Sequence, residues 1–428
     1  MYFKFKIISN LLGLRTLRNL YKNRLQTLQA RRWRRLRATL ERSPFYRDLV
    51  LKNAPHSDYP KMNKAFFMEH FTAINTKGIE RQDAYDVAIK AETTRDFSPM
   101  INNVTIGLSS GTSGNRGIFL ATEAERAQWV ACVLDRVIGF SLKKRSVAFF
   151  LRANSNLYDS VKSKVLKFEF FDLMESLEAQ LNRLNALNPM ILVAQPSLLL
   201  ELAKKKEVGE LNISPSKIIS VAEVLYPEDK ALMERIFGQT IHQVYQCTEG
   251  MLATTCKHGT LHFNEDFLII EKEYIDEEQT RFHPVITDLL RTSQPVIRYE
   301  LNDIIHEKRD CLCRSKMTGI EKIEGRSDDV LRFESRTKDE IRIFPDFFRR
   351  AIIMSNDTIS DYTLVQSKVD ELQLYIDNPT AFDQVKNALQ KLLEENNIQD
   401  VAVLKAETKH HEKGDKLRRI RNDYWKAN

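Results

Sequence analysis

Between positions 104 and 245, short runs rich in β-branched and aromatic residues alternate with segments whose apolar positions recur every three or four residues. The first pattern predicts strands at 104–108, 146–150, 190–194, 217–221 and 240–245. The second predicts helices over 123–137, 175–187, 197–205 and 227–237. Such alternation is the signature of a mainly parallel sheet covered by helices, so the fold class is α/β. After Gly250 the pattern changes to shorter, turn-separated strands at 261–271, 285–288 and 296–305, which predict a β-rich subdomain. Further on, strands at 330–333, 341–344, 361–365, 371–376 and 401–405, with helices over 346–354 and 381–396, predict a separate small α+β module.

The segment 14–49 is basic and helix-like, with Trp33, Leu36 and Leu40 at i, i+3 and i+7 among Arg31, Arg32, Arg34, Arg35 and Arg37. Such a helix either meets an anionic surface or, more commonly, lays its apolar stripe on the main domain and solvates its arginines. The stretch 1–14 is interrupted by Asn10 and has no small-residue cleavage site before Arg15, and no run reaches the roughly 20 apolar residues that span a bilayer. The expectation is a soluble protein without a transmembrane segment.

Composition narrows the class. At 43% hydrophobic and 29% charged, with 14 Gly and 12 Pro in 428 residues, the chain is neither collagen-like, low-complexity nor mainly disordered. Its length suits several structural units, or one large domain with a smaller partner. A net charge of +7 suits an anionic small ligand and does not by itself imply nucleic acid, which is not an expected partner. Five cysteines, an odd number, form no secreted disulfide framework, so a reducing cytoplasm is expected.

Four segments carry candidate chemistry. Ser109-Ser110-Gly111-Thr112-Ser113-Gly114-Asn115-Arg116-Gly117 follows a predicted strand, and its glycines and hydroxyls are what a phosphate-cradling loop requires, as they are of a flexible turn. Tyr245-Gln246-Cys247-Thr248-Glu249-Gly250 places a ring, a hydroxyl and a carboxylate at a strand end, where open sheets bind ligands. A ring can stack on a base, and a carboxylate can join phosphate oxygens around Mg²⁺. The segments Pro295-Val296-Ile297-Arg298-Tyr299-Glu300-Leu301-Asn302-Asp303 and Ile323-Glu324-Gly325-Arg326-Ser327-Asp328-Asp329 follow in order.

In this order and spacing the four segments resemble the core motifs of the adenylate-forming enzymes, the superfamily of acyl-CoA synthetases, luciferases and peptide-synthetase adenylation domains. Within it, Tyr-Gln-Cys-Thr-Glu, Ile-Arg-Tyr-x-x-x-Asp and Gly-Arg-Ser-Asp-Asp look most like the phenylacetate-CoA ligase and CoF synthetase branch. The likeness runs from about Pro44 onward. It implies a large N-terminal adenylation domain over 1–325, with mixed sheets and the β-rich subdomain, and a small mobile C-terminal lid over 326–428. It implies that Ser109, Ser110, Gly111, Thr112, Ser113 and Gly114 hold the ATP phosphates, and that Ala222, Glu223, Tyr245 and Gln246 border the adenine. Thr248 would touch the α-phosphate, Glu249 would ligate Mg²⁺, Asp303 would accept the ribose hydroxyls with Arg326 nearby, and Asp328 would be the hinge. In Lys413-Gly414-Asp415-Lys416-Leu417-Arg418-Arg419, which resembles the closing signature of the family, Lys416 would stabilise charge at the α-phosphorus.

Two positions depart from the family pattern. Asn115-Arg116 stands where the phosphate loop usually carries a lysine, exchanging a point charge for a planar fork, and Asp415 separates Gly414 from Lys416. A further constellation, Cys256 and His258 with Cys311 and Cys313, offers four ligands for a structural Zn²⁺; the alternative is reduced thiols and a surface histidine.

The expected activity is that of an ATP- and Mg²⁺-dependent ligase that activates a carboxylic acid, expected to be aromatic, as its acyl adenylate and then transfers it to CoA. The alternatives are AMP transfer to a phenolic hydroxyl, as the CoF synthetase likeness implies, and a non-catalytic adenylate-binding module. The acceptor pocket is expected between 140 and 196 and around 221–225, where Phe149, Phe150, Tyr158, Phe168, Phe170 and Phe171 suit a core as well as a pocket wall.

Overall fold

The structure, a computed structural model, describes the chain except at positions 1, 95, 97, 110–115, 140, 142, 152–165, 174, 327–328, 336–339, 357, 360, 409–417 and 425–428, and the side chains at 151 and 346. Two compact units result. One comprises Met1–Leu301 with Glu307–Glu321, and the other Asn302–His306 with Lys322–Asn428.

Four of the expected strands form the parallel core of the first unit, joined at its edge by Leu166–Asp172, which the pattern does not mark, whereas the expected strand Val104–Leu108 pairs antiparallel with Met100–Ile101 and Ile118–Thr122 in a separate sheet. Leu166–Asp172, Arg145–Leu151, Ile191–Ala194, Lys217–Ser220 and Ile241–Cys247 lie side by side in that order, every neighbouring pair parallel. Continuous apolar runs such as Ile191–Ala194, buried at all four positions, are what a sheet covered on both faces demands. Helices Leu177–Leu187, Pro196–Glu207 and Pro227–Phe237 supply leucines to one shared core with Phe150 and Phe171. Those two rings stack 4.6 Å apart and are fully buried, so they are core. Phe149, also buried, meets Phe168 on its other side at 5.1 Å.

After Ile241–Cys247 the sheet turns antiparallel through Gly250–Thr255 and Leu261–Phe263. The single strand expected over 261–271 is interrupted. Asn264 turns the chain, its side chain donating to Met251 O at 2.9 Å and accepting from Arg136 at 2.7 Å, and Leu268–Tyr274 then pairs with Arg281–Asp288. The expected strand over 296–305 also divides, into Tyr299–Glu300 and Asp303–Lys308. Arg298, at φ +46°, breaks the extended run just before Tyr299.

The basic N-terminal segment forms two helices, Tyr2–Leu20 and Leu25–Leu40, broken where the Arg24 amide turns back on Tyr21 O at 2.8 Å. The second helix buries Leu28, Leu36 and Leu40 and sets Trp33 edge-on against His56 and Tyr59, so its stripe lies on the unit to which it belongs. No helix among the described residues is long and apolar enough to cross a membrane.

The second unit has a sheet ordered Ala402–Lys405, Glu371–Ile376, Tyr362–Lys368, Ile420–Asn422 and a hairpin Leu331–Glu334 with Glu340–Ile343. Helices Pro345–Ser355 and Phe382–Glu395 close its core around Phe333, Phe348, Leu364 and Leu389.

Candidate functional site

Cys247 pairs with Gly250 across the antiparallel turn, which leaves Thr248 and Glu249 as a two-residue tip beyond the C-terminal end of the last parallel strand. A Cβ at Gly250 would stand 2.9 Å from Asp288 Oδ2, so any side chain there would displace that carboxylate. The carboxylate of Glu249 is held from both sides. Thr248 Oγ1 donates to Oε2 at 2.9 Å, and the Tyr299 hydroxyl donates to Oε1 at 2.9 Å. Burial, reinforced by the neighbouring Glu249 charge, lifts the Tyr299 phenol far above its ordinary value, so it remains a donor.

Tyr299 is itself positioned by the segment before the sheet. Met62 bridges to it, with the Met62 amide on Arg298 O at 3.0 Å and the Glu300 amide on Met62 O at 2.8 Å, and the Phe67 ring meets it edge-on at 5.4 Å. Arg298 fastens the same region by pairing with Glu271 at 2.8 Å and donating to Tyr59 O at 3.0 Å. This motif arginine therefore works as a staple.

Arg291 reaches the tip from the other side, donating to the Thr248 carbonyl and, at 2.7 Å, to Gln294 Oε1. Buried Gln294 also accepts from the Leu120 amide at 3.1 Å and donates to Ile118 O at 2.9 Å. The strand that leaves the Ser/Gly loop is thus tied to the carboxylate tip. Glu125 locks the 291–294 segment that carries Arg291 and Gln294. Its carboxylate accepts from the Thr122, Thr292 and Ser293 amides at 2.7–2.8 Å and from the Ser293 hydroxyl at 2.6 Å. Burial opposes its ionisation, but these donors prevail and hold its pKa below the usual carboxylate value.

At the neck of the Ser/Gly loop, the Ser109 amide donates to Gly117 O at 2.7 Å and the Gly117 amide to Ser109 Oγ at 2.8 Å. Ser110, Gly111, Thr112, Ser113 and Gly114 lie outside the described residues. Arg116 does not stand in for a loop lysine. Its guanidinium forms a fork with Glu92, at 2.8 Å for one arm, and donates to Ser109 O at 3.0 Å. The cation at this neck is Lys64, whose Nζ lies 3.4 Å from Ser109 Oγ and whose Cε would meet a Cβ at Gly117 at 3.3 Å. Lys64, Phe67, Met68, Ile118, Thr248, Glu249, Arg291, Gln294, Val296 and Tyr299 line one cavity. The cavity itself is no larger than a water, but the two cations and the braced carboxylate around it have the chemistry that phosphate oxygens and a divalent ion require.

Much of the chain superposes on solved structures. 2-Hydroxyisobutyryl-CoA ligase in its postadenylation state, in complex with 2-HIB-AMP, matches with a TM-score of 0.66 at 16% identity, over 94% of this chain and 90% of that one. This chain has the adenylate-forming ligase fold. The ATP-bound RpMatB-BxBclM chimera B3 matches with a TM-score of 0.53 at 12% identity, over 73% of this chain and 66% of that one. The anthranilate CoA ligase AuaEII, in complex with anthranoyl-AMP, matches at 0.51 and 11%, over 74% and 66%. No family model matches the sequence, and no curated protein does.

Of the other residues expected at the site, Ala222 and Glu223 follow the parallel strand Lys217–Ser220. Ala222 takes φ +72°, and Glu223 Oε2 accepts from the Ser197 amide at 3.3 Å, at the start of helix Pro196–Glu207. Tyr245 and Gln246 sit where the register shifts at the end of Ile241–Cys247, the Tyr245 ring 6.4 Å from Phe263 and Gln246 exposed. Asp303 and Arg326 belong to the second unit. Asp328 and Lys416 lie outside the described residues, as does Tyr158. Within the second unit Arg418 donates to Asp329 at 3.1 Å.

The thiol constellation needs one correction. Cys256, Cys311 and Cys313 converge with His262, their ligand atoms all within 4.8 Å of one another. His258, the residue expected from its spacing, sits exposed in the turn after Cys256 and offers its backbone amide to Cys256 Sγ at 3.4 Å. His262 joins instead because its strand pairs with both Gly250–Thr255 and Gly319–Arg326, which carries the ring to Cys313. Cys256 Sγ and Cys311 Sγ are 3.7 Å apart, and Cys313 Sγ lies 3.3 Å from His262 Nε2. Two thiolates on one tetrahedral zinc sit about 3.8 Å apart, so the set fits that ion. Met317 O, 3.1 Å from His262 Nδ1, takes the ring proton on that side and leaves Nε2 as the bare ligand atom.

Lys64, Arg291, Gln294 and His262 were not legible as site residues. Lys64 and Arg291 lie more than 40 residues from the loop neck or strand tip they reach, Gln294 just precedes the 295–303 segment, and the spacing of His262 from Cys256 carries no ligand signal. Tyr299 lay inside a quoted motif, but nothing in the local pattern pointed it at Glu249.

Proposed function

We propose that this chain is an ATP- and Mg²⁺-dependent ligase that converts a carboxylic acid to its acyl adenylate. The observation that carries this reading is the cavity in which Lys64, Arg291 and the carboxylate of Glu249 meet beside the neck of the Ser/Gly loop. In the reaction, a carboxylate oxygen of the acid attacks the α-phosphorus, the bond to the bridging oxygen breaks, and pyrophosphate leaves with that electron pair. Glu249 would hold Mg²⁺, since each of its oxygens accepts one hydrogen bond and retains acceptor capacity. The ion supplies positive charge to the phosphate oxygens. Lys64 and Arg291 would neutralise the departing phosphates, and the amides and hydroxyls of 109–114 would cradle them.

In this reading Thr248 touches the α-phosphate, and Ala222, Glu223, Tyr245 and Gln246 border the adenine. Asp303 and Arg326 hold the ribose, and the domain over 326–428 closes about Asp328 to bring in Lys416. Transfer of an aromatic acyl group to CoA, with the thiol attacking the acyl carbonyl and AMP leaving, is the expected second half. Zn²⁺ at Cys256, His262, Cys311 and Cys313 would be structural.

Acid-dependent ATP–pyrophosphate exchange over a panel of aromatic and aliphatic acids tests the first half, and CoA-dependent AMP release tests the second. Exchange with an acid supports the reading. Nucleotide binding without exchange or turnover on any acid or phenol overturns it in favour of an adenylate-binding module, and AMP left on a phenol overturns it in favour of direct transfer.

A further inference from the structure

Helix Tyr2–Leu20 has two apolar faces, and the structure covers one of them. Ile7, Leu11 and Leu14 are buried in the packing against helix Glu123–Cys132. The rotation of the helix is fixed by ions on that side. Lys6 pairs with Glu123 at 2.9 Å, and Arg15 donates to Asp135 at 2.8 Å, with Arg18 on the same carboxylate. The other face carries Tyr2, Phe5, Ile8 and Leu12, three or four residues apart, at 69%, 68%, 52% and 59% exposure. Leu20 continues it at 71%.

Charge identifies the surface that this stripe fits. Of the chain's 65 lysines and arginines, eleven lie in the first forty residues, which hold none of the 58 aspartates and glutamates. The remainder of the chain is slightly acidic, so the whole positive surplus sits on this segment. Lys4 and Lys22 flank the exposed stripe near its two ends, and Arg24, Arg34 and Arg35 are exposed close by in sequence. Exposed apolar side chains bordered by lysines whose long stems reach outward are the arrangement that lies in the headgroup layer of a membrane. A second copy is the poorer occupant. Pairing two such stripes would bring the exposed Lys4, Lys22 and Arg24 of two copies together, with no acidic side chain in the segment to offset them.

We propose that helix Tyr2–Leu20 docks the protein onto an anionic lipid bilayer surface, inserting Tyr2, Phe5, Ile8 and Leu12 while Lys4 and Lys22 meet the headgroups. This holds whatever reaction the enzyme performs. The test is flotation of the purified full chain with phosphatidylcholine vesicles containing about 30% phosphatidylglycerol, against phosphatidylcholine alone. The expected result is recovery with the anionic vesicles only, weakened by salt. Phe5→Ser/Leu12→Ser and, separately, Lys4→Gln/Lys22→Gln/Arg24→Gln should each weaken binding about tenfold or more while leaving the unfolding temperature unchanged. Equal recovery with neutral vesicles, or no flotation by the folded wild-type chain, overturns the proposal. So does concentration-dependent dimerisation in sedimentation that Phe5→Ser/Leu12→Ser abolishes while vesicle binding is absent, which would assign the stripe to a second copy.

Discussion

The Tyr299 hydroxyl donates to Glu249 at 2.9 Å, joining two motifs 50 residues apart at the tip of an antiparallel turn. This bond aims the carboxylate proposed to hold Mg²⁺. Partners of this kind typically contribute ten- to a hundredfold to metal affinity or activity. Tyr299→Phe keeps the ring on Phe67 and removes only the donor, so the expected outcome is a loss of about tenfold in adenylation with a raised Mg²⁺ requirement and unchanged unfolding. Magnesium titrations of pyrophosphate exchange check this.

Lys64 and Arg116 separate by role. Lys64 lines the cavity at the loop neck, whereas Arg116 is committed to Glu92. Lys64→Ala is expected to lower kcat/KM for ATP by roughly one to two orders of magnitude, as removal of one preorganised cation does, with stability little changed. Arg116→Ala should show the reverse emphasis, a stability loss of about 1 kcal/mol from the part-exposed pair and a smaller kinetic effect. Steady-state kinetics with thermal unfolding on both variants distinguishes them.

Asp288 sits beneath the turn, its Oδ1 accepting from the Leu290 amide at 2.8 Å. Burial pushes its carboxyl from 3.8 up to about 6, against the pull of the Leu290 amide and Arg291. Between those values the folded chain keeps a proton that the unfolded chain has released. Stability from this group therefore falls as pH rises through that window and is level above it. Asp288→Asn, which keeps the acceptor for Leu290, should be more stable than wild type near neutral pH by on the order of 2 kcal/mol. The difference should vanish below about pH 4, and denaturant unfolding across pH reads it.

The thiol cluster predicts metal content. The purified chain should carry about one zinc, and Cys313→Ser or His262→Ala should lose it together with part of the thermal stability, since metal affinity here is folding energy. His258→Ala should retain the zinc, as measured by elemental analysis. A zinc loss in His258→Ala equal to that in His262→Ala would reverse the assignment made from the ligand-atom distances.

The parallel core was legible because strands such as Ile191–Ala194 are apolar throughout and the helices between them keep one leucine stripe. Thr248 and Glu249 were legible as candidates because a strand end in an open sheet is where ligand chemistry sits. What local pattern does not encode is which distant side chain arrives there. Lys64 comes from a short helix, Arg291 from a loop, and His262 from a strand whose two neighbours set its register. His258 had the closer spacing to Cys256, but the turn at Gly259 carries the chain onward, and the ring that joins the three thiols is that of His262. The strand expected over 296–305 failed at Arg298, whose left-handed backbone delivers Tyr299 to Glu249 and the guanidinium to Glu271.

If Glu249 and its neighbours bind a magnesium-bound triphosphate, calorimetric titration of ATP with Mg²⁺ into the wild-type chain and Glu249→Gln reads that binding. The expected result is saturable binding at one site per chain that depends on Mg²⁺ and weakens at least about tenfold in the variant. Absence of heat with the wild-type chain, or affinity identical in Glu249→Gln, would contradict it.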